Sequence, residues 1–450
     1  MRRSRISLLL VLAMLAFGGA AVAAPPAGEP FFPHAGNPGY DALEYQVEIE
    51  YEGPKQPVVG YASIKIRATQ ELRRVSFDFR GPRVVHMSGL SPGTYRQRRG
   101  KLVFLPREPI EKGSVYFLAV SYRGRPPAIT DPDGTREGWL RTDDGVIAVG
   151  EPQGTATWIP CNNVPWDKAL FTTIVTVPRG LKAVANGRLG QVARSPGEST
   201  FFWRESSPMS PYLAVLSIGR GRLVQDQIGR IPTWTLIDPR LEKAGEQVRR
   251  ELPEILRFQA RLFGGYPFES AGSILDHAPE VGYALETQSR PIYTYAPEKT
   301  LIVHEVAHQW FGDSVGIERW PEIWLNEGLA TWTQWYYAER HGGRSAEEVF
   351  KRLYRVPASK ELLWNPPPGR PGSPERLFAT SVYVRGAMAV QALRRKIGTK
   401  PLLQVLRSWA IEHRHRSATI GEFIALAEEV SRRDLDPLFQ RWLYQRGKPR

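Results

Sequence analysis

The sequence has few or none of several features that point to particular classes of protein: cysteine pairs, runs of like charge and stripes of aromatic and basic residues. Cys161 is the one cysteine in 450 residues, so no internal disulfide bond can form and the fold depends on its apolar cores. It follows the apolar pair Trp158-Ile159, which predicts a buried, unreactive thiol. The chain also lacks runs of five like charges and stripes of alternating aromatic and basic residues. This excludes nucleic acid as an expected partner, despite a formal net charge of +14.

Long apolar runs are absent beyond the N-terminus. There, the basic Arg2-Arg3-Ser4-Arg5 precedes an apolar stretch, Ile6 to Phe17, and the small-x-small sequence Ala21-Val22-Ala23. This order is typical of a secretory signal, and the apolar stretch is too short for a bilayer of roughly 30 Å. We therefore predict that residues 1–23 are a signal peptide and that the protein is exported (periplasmic or secreted) without stable membrane insertion. An uncleaved anchor is the alternative, because no charge follows Arg5 before Glu29.

The first half of the chain has the pattern of β structure. Short alternating runs such as Tyr45–Tyr51 and Ala62–Ile66 have the period of two that half-buried strands require. Val115–Val120 is a continuous apolar run, which is typical of a fully buried strand. Gly-Pro, Pro-Gly and Asn-Gly pairs separate these runs. We predict an all-β domain over residues 24–220, either a sandwich or a curved open sheet.

In the second half, the apolar residues recur at helical spacing. This pattern predicts a mainly helical α+β domain over residues 221–450. The central motif is His304-Glu305-Val306-Ala307-His308. Two histidines four apart lie on one face of a helix and can bind one Zn²⁺, with Glu305 placed beside the metal as a base. Glu327 in a second apolar helix is the candidate third ligand. Apolar flanking residues favour a metal site over a solvated helix face, because unpaired histidines are costly to bury.

Three further residues are candidates with weaker signals. Glu286 lies in an extended segment shortly before the zinc helix, where it could meet a positive group on a substrate, or it could simply face solvent. A strand edge at that position could also bind a peptide backbone by β-addition. Glu151 opens a loop rich in proline and tryptophan, which is either a rigid connection or part of the cleft. Tyr383, early in a helix, is an ordinary aromatic residue on its own pattern.

Taken together, these motifs resemble those of the aminopeptidase N family of gluzincin metallopeptidases. The family's zinc signature is matched by His304 to Asp313 and by Trp324 to Gly328, with 18 residues between His308 and Glu327. Other matching segments, which extend the resemblance from about Gly39 to the C-terminus, are Glu151-Pro152, Asp167-Lys168-Ala169, Pro208 to Leu213, Tyr283-Ala284-Leu285-Glu286-Thr287 and Tyr383-Val384-Arg385-Gly386.

The resemblance implies a saddle-like β domain packed on a thermolysin-like catalytic domain. It implies an exopeptidase that uses one Zn²⁺ to remove single residues from peptides with a free N-terminus. The roles that it implies are zinc binding for His304, His308 and Glu327, general base and acid for Glu305, binding of the substrate ammonium for Glu286 with Glu151, and oxyanion stabilisation for Tyr383. Thr331 is a possible partner of a zinc ligand.

Two departures from the family pattern affect these expectations. Leu285 and Thr287 stand where the exopeptidase motif has methionine and asparagine. The chain also ends near the close of the catalytic domain, so we expect a short form without the C-terminal helical domain and with an open cleft that accepts longer peptides. The alternative functions are a zinc endopeptidase, which Glu286 and Glu151 disfavour, and a catalytically weak peptide-binding relative.

Overall fold

The computed structural model describes residues 28–450 of the chain. The predicted signal peptide, residues 1–23, lies outside the described residues and stays a prediction. Between residues 28 and 450, no helix is both long enough and apolar enough to cross a membrane.

The first region of the described chain is built from β-strands. Its strands are β1 (Tyr40–Glu50), β2 (Val58–Ala68), β3 (Val75–Asp78), β4 (Arg83–Gly89), β5 (Gly93–Arg98), β6 (Lys101–Pro106), β7 (Val115–Gly124), β8 (Ala128–Thr130), β9 (Arg136–Arg141), β10 (Val146–Val149), β11 (Ala169–Pro178), β12 (Lys182–Ala185), β13 (Arg188–Arg194), β14 (Glu198–Met209) and β15 (Leu216–Gly219).

A seven-stranded sheet in the order β13-β14-β11-β1-β2-β7-β4 dominates this region. A five-stranded sheet, β12-β15-β10-β9-β8, and a three-stranded sheet, β3-β6-β5, complete it. The alternation read from the sequence is the cause: in β2, inward residues such as Ile64 and Ile66 are buried while their neighbours are partly exposed. Strand β1 pairs antiparallel with β2 and parallel with β11, so it lies in the middle of the large sheet.

The prediction of a fully buried strand at Val115–Val120 is wrong. The run lies in β7, but its residues alternate between the two faces of the sheet. Val115 and Phe117 are 39% and 43% exposed, while Tyr116 and Leu118 face the core. The continuous apolar run therefore predicts a strand correctly here, but it does not predict that both faces of the strand are buried. Cys161, as predicted, is buried.

The second region is mainly helical and begins with a further sheet. Its elements are β16 (Arg222–Ile228), β17 (Ile231–Ile237), α1 (Glu242–Phe263), β18 (Ala271–Leu275), β19 (Ala284–Leu285), β20 (Ile292–Tyr293), α2 (Lys299–His308), β21 (Gly316–Ile317), α3 (Trp324–Arg340), α4 (Ala346–Tyr354), α5 (Glu361–Trp364), α6 (Thr380–Ile397), α7 (Thr399–Glu412), β22 (Ser417–Ala418), α8 (Ile420–Ser431) and α9 (Asp436–Phe439). Thus the predicted class, a multi-sheet β region followed by a mainly helical α+β region, is confirmed.

Two features of this region position the site. In the sheet β16-β17-β18-β20-β19, the short strand β19 is at the edge, and Glu286 follows it directly. Helices α3 and α6 approach closely through Gly328 and Gly386, where a Cβ atom on Gly386 would lie 3.1 Å from the Cα atom of Gly328. Only residues without side chains allow two helix backbones to come so near. The contact lies one residue after Glu327 on α3 and three residues after Tyr383 on α6.

Buried cations join the two regions. The guanidinium of Arg290, which is fully buried, donates to the carbonyl oxygens of Ala185 and Gly187 in the β region, and stacks on Trp203 with 4.5 Å to the ring centroid. Lys168 donates from the β region to the carbonyl oxygens of Asp313 and Ser314, at 2.6 and 2.9 Å. Residues around the zinc motif are thereby fixed against the β region.

Candidate active site

Helices α2 and α3 bring the three predicted zinc ligands together. His304 and His308 lie one turn apart on α2, and their Nε2 atoms are 3.0 Å apart. Glu327, in the first turn of α3, places its Oε2 atom 3.2 Å from Nε2 of His304 and 3.4 Å from Nε2 of His308. All three side chains are buried. The spacing of 18 residues therefore corresponds to two packed helices whose ligand faces meet.

The donor set fits Zn²⁺. Zinc binds imidazole nitrogen and carboxylate oxygen at about 2.0–2.2 Å in tetrahedral geometry, which places neighbouring donor atoms about 3.3 Å apart. The three distances between donors at this site, 3.0, 3.2 and 3.4 Å, agree with that arrangement. Two histidines and one glutamate also leave a fourth position for water or substrate, as in catalytic zinc sites. The prediction of a zinc cofactor is confirmed.

The second nitrogen of each histidine also has a partner. Nδ1 of His304 lies 3.3 Å from Oε1 of Gln334, and Nδ1 of His308 lies 3.0 Å from the carbonyl oxygen of Phe311. Such partners fix the tautomer and the orientation of a metal ligand. Thr331, which the resemblance suggested for this task, has a buried hydroxyl without a hydrogen-bond partner. Sequence reasoning missed Gln334, although its place two turns after Glu327 on the same helix was a usable signal.

Three more carboxylates surround the ligands. Donor atoms of Glu286, Glu305 and His308 lie within 4.8 Å of one another, and those of Glu151, Glu286 and Glu327 do the same. Glu151 belongs to the β region, so the loop that carries it lines the cleft. The Oε1 atoms of Glu151 and Glu286 are buried and have no hydrogen-bond partner. Two unpaired carboxylate oxygens beside a metal site leave room for a cationic ligand.

Burial and mutual repulsion determine the protonation of these carboxylates. Burial, followed by the charges of Glu286 and Glu327, raises the pKa of Glu151 well above its ordinary value. Burial likewise raises the pKa of Glu286 and of Glu305. Burial also opposes ionisation of Glu327, but the facing imidazoles outweigh it and lower its pKa to about 2. The charge of His308 partly offsets these acids, since it lowers the pKa of Glu286 and of Glu305. The carboxylates still outnumber the facing imidazoles, which favours binding of further positive charge.

Tyr383 completes the set of predicted residues. It lies in the first turn of α6, and its ring stacks near His304 with 6.1 Å between ring centroids. Burial raises the pKa of its phenol well above the ordinary value, and the charges of Glu327 and Glu151 add to that effect. The phenol therefore stays protonated at neutral pH and remains a hydrogen-bond donor. The structure thus brings every predicted site residue, from both regions of the chain, to one place.

Tyr212 and Lys168 of the β region also contact the zinc motif. The hydroxyl of Tyr212 accepts a hydrogen bond from Nδ2 of Asn326 at 3.4 Å and lies 3.5 Å from the carbonyl oxygen of Gly312. Burial lowers the pKa of Lys168 to about 7, against the attraction of Asp313. Both residues lie in segments that the resemblance singled out, but their contacts join positions at least 100 residues apart. Local patterns do not predict such contacts.

Comparison with known proteins identifies the family. Residues 283–442, which include Glu286, the zinc ligands and Tyr383, match the Peptidase family M1 domain. The crystal structure of an M1 zinc metallopeptidase from Deinococcus radiodurans is similar over 94% of this chain and 98% of that chain, with a TM-score of 0.82 and 27% sequence identity. Residues 283–442, just over a third of the chain, are thus similar to the peptidase family M1 domain. Together with the structural similarity, this match confirms the predicted family and the predicted two-domain fold class.

Two curated aminopeptidases are similar to this chain over part of their own length. The leucyl aminopeptidase of Saccharolobus solfataricus is 24% identical over 65% of this chain and 40% of its own length. Aminopeptidase N of Haemonchus contortus is 24% identical over 74% of this chain and 37% of its own length. The chain thus spans about two fifths of the curated M1 relatives that it matches. A crystal structure of a variant of the Deinococcus radiodurans M1 protein contains a bound Tyr-Ser-Ala substrate. That structure is similar to 94% of this chain over 99% of its own, with a TM-score of 0.82 and 27% sequence identity.

Proposed function

We propose that this M1 protein is a zinc-dependent aminopeptidase that hydrolyses the N-terminal bond of peptides. The observation that carries the proposal is the position of two unpartnered carboxylates, Glu151 and Glu286, beside the His304–His308–Glu327 triad. We further propose that residues 24–220 form the β domain and residues 221–450 the catalytic domain. The leucyl aminopeptidase and aminopeptidase N among its relatives support the same activity.

Glu286 and Glu151 determine where the peptide is cut. Their carboxylates bind the α-ammonium of the substrate, so the first peptide bond is the one that lies over the metal. A peptide with a blocked N-terminus would leave both carboxylates desolvated and without a partner, which costs about 1–3 kcal/mol or more for charged groups. The same pair therefore selects for a free N-terminus and against internal bonds.

Glu305 moves the proton. When bound by His304, His308 and Glu327, Zn²⁺ supplies Lewis acidity that makes a water molecule a nucleophile near neutral pH. Glu305 takes a proton from that water as general base and passes it to the leaving amine as general acid. The position of Glu305 supports this role, because its carboxylate lies within 4.8 Å of a ring nitrogen of the ligand His308.

Tyr383 stabilises charge that develops during the reaction. Its protonated phenol donates a hydrogen bond to the oxyanion of the tetrahedral intermediate. A donor of this kind acts mainly on the transition state, so it contributes to kcat rather than to substrate binding. The stacking of Tyr383 near His304 and the close contact of α6 with α3 support this assignment.

Peptides are the proposed substrates, in keeping with the relative that binds Tyr-Ser-Ala. We also propose that the mature protein is exported after cleavage near Ala23, which the order of basic, apolar and small residues at the N-terminus supports.

A panel of aminoacyl-anilides tests the proposal. The mature protein is assayed with each substrate before and after treatment with a zinc chelator, and again after zinc is restored. We expect hydrolysis that is lost with the metal and recovered with it. N-acetylated forms of the same anilides should be cut at least about 30-fold more slowly, because Glu286 and Glu151 then lack their partner.

The variant Glu305→Gln should bind one zinc ion per chain and lose turnover by about 10²–10⁴-fold. Glu322→Gln is the matched control: Glu322 has a pKa that burial raises to about 7, but it lies outside the cleft and should leave turnover unchanged. Retained turnover in Glu305→Gln would contradict the mechanism. Equal rates on free and acetylated substrates would favour an endopeptidase.

A further inference from the structure

A buried glutamine connects the zinc helix to the turn that carries Glu286. Gln309 follows His308 directly and is 2% exposed. Its Nε2 atom donates to the carbonyl oxygen of Glu286 at 2.9 Å, and its Oε1 atom accepts from the backbone N–H of Ser289 at 2.8 Å. The carboxamide of Gln309 therefore binds both ends of the segment 286–289, Glu286 through its nitrogen and Ser289 through its oxygen.

These two bonds have no substitute nearby. In the described part of the chain, they are the hydrogen bonds that join residues 286–290 to residues 299–313. Ser289 has φ +64°, a left-handed conformation that is unfavourable for a residue with a side chain. This strained conformation directs the backbone N–H of Ser289 toward Gln309, which indicates that the hydrogen bond between them helps to stabilise the turn.

The opposite side of the turn is fixed to the β region. The backbone N–H of Gly187 donates to Oγ of Ser289 at 2.8 Å, and Nδ2 of Asn186 donates to the carbonyl oxygen of Gln288 at 2.9 Å. Arg290 adds its bonds to the same β-strand segment. Without Gln309, the turn would therefore keep its hydrogen bonds to the β region but would have no direct hydrogen bond to residues 299–313.

We infer that Gln309 is a positioning residue that fixes the distance between the zinc ligands and the ammonium-binding carboxylate of Glu286. It does not contact the reacting atoms; it acts through the backbone of Glu286 and Ser289. The inference rests on the proposed function, because it assigns Gln309 to the choice of the bond that is cut. A displacement of about 1 Å at such a site can lower the rate about 10²-fold.

Gln309→Met tests the inference, since methionine keeps the length of the side chain and removes both hydrogen bonds. It also removes a longer bond, 3.4 Å, which the hydroxyl of Tyr266 donates to Oε1 of Gln309. With anilides, we expect KM for free aminoacyl substrates to rise about tenfold and the preference for free over N-acetylated substrates to fall by a similar factor. With peptides, mass spectrometry should detect products cut one residue further in. Zinc content should stay at one ion per chain, because His308 keeps its partner at Phe311.

Gln391→Met is the matched control. Gln391 is also 2% exposed and uses both ends of its carboxamide, with Trp332 and Glu347, but it lies away from residues 286–290. We expect it to lower the Tm like Gln309→Met and to leave the preference unchanged. Gln309→Leu is the second variant, in case the methionine variant does not fold: it also removes both hydrogen bonds, adds no charge beside the acids, and should likewise weaken the preference.

The outcomes separate the inference from the proposed function. If the wild-type protein prefers free N-termini and either zinc-loaded Gln309 variant keeps that preference in full, Gln309 has no positioning role and the proposed function stands. If the wild-type protein shows no such preference, the proposed function fails first. A preference that falls equally in Gln309→Met and in the Gln391 control would also overturn the inference, because the effect would then reflect lost stability.

Discussion

The carboxylate of Glu151, two residues after the end of the β region's strand β10, lies within 4.8 Å of the carboxylate of Glu286, 135 residues later in the chain. Neither Oε1 atom has a hydrogen-bond partner, and both are buried. Two like charges so close raise each other's cost of ionisation, and a cation between them removes that cost. These two oxygens support our proposal that the cleft receives a positive group beside the metal, and the ammonium of a peptide is such a group.

Removing one of these charges should weaken selection of free N-termini. For Glu286→Gln, we expect the preference for free over acetylated aminoacyl-anilides to fall about 30-fold or more, equivalent to at least about 2 kcal/mol, because a buried charge pair is lost. Glu151→Gln should also lower this preference, but by less than Glu286→Gln, because Glu151 is less buried than Glu286. Steady-state kinetics on both substrates measure it. An unchanged preference in Glu286→Gln would assign the ammonium to another residue.

Removing the phenol of Tyr383 should affect turnover rather than binding. In Tyr383→Phe, we expect kcat to fall about 10²–10³-fold with little change in KM and with zinc still bound, because the lost donor acts on the transition state. The measurement is kcat and KM on one anilide together with the metal content. A rise in KM at constant kcat would instead indicate that Tyr383 binds the ground state.

The contact between Gly328 and Gly386 should be essential for the geometry of the site. A Cβ atom in Gly386→Ala would lie 3.1 Å from the Cα atom of Gly328, so α3 and α6 must separate by a few tenths of an ångström. We expect a loss of about 1–3 kcal/mol in the free energy of unfolding and at least a tenfold loss of kcat, since Glu327 and Tyr383 lie on these two helices.

Gly421→Ala on α8 is the control for that substitution. Its nearest neighbour beyond the helix backbone, Oγ1 of Thr419, would lie 3.8 Å from the new Cβ atom, an ordinary contact. Alanine there should stabilise the protein slightly and leave kcat unchanged. If both alanine variants behave alike, close helix packing does not determine the site.

The zinc ligands could be predicted from the sequence because each lies in a helix with a strict local pattern. Two histidines at a spacing of four face the same way whatever surrounds them, and an apolar flank predicts burial. Contacts across the chain could not be predicted in this way. Gln309 and Lys168 act through backbone atoms of distant segments, so neither their residue type nor their spacing carries a local signal.

The β region shows the same limit. Alternation predicted strands β1 and β2, because period two is a property of the strand itself. The exposure of Val115 and Phe117 depends on which face of the seven-stranded sheet other elements cover, and that follows from the assembled fold. The position of Glu151 in the cleft, which the sequence left open, is likewise a consequence of how the two regions pack.

Stability should fall as the pH rises from about 4 to about 7. Burial raises the pKa of Asp276 from 3.8 to about 7, although its Oδ2 atom accepts a hydrogen bond from Ser217 at 2.7 Å. Between these values the unfolded chain has released the proton that the folded protein still holds, so the stabilising contribution, present in full below pH 4, is lost as the pH passes 7.

Asp276→Asn tests this linkage away from the cleft. The asparagine does not ionise, so the variant should gain stability relative to the wild type between pH 5 and pH 8, by about 2–4 kcal/mol at most. Urea unfolding at a series of pH values measures the difference. A constant difference between the two proteins across that range would show that Asp276 ionises normally in the folded state.

If the acids around the zinc ligands make this protein an aminopeptidase, a free N-terminus should decide which bond is cut. A peptide of about ten residues is supplied with a free or an acetylated N-terminus, and the products of the zinc-loaded protein are followed by mass spectrometry. We predict stepwise loss of single residues from the free peptide and about 30-fold or slower cleavage of the acetylated one. Internal fragments produced at equal rates from both peptides would show that the protein is an endopeptidase and not an aminopeptidase.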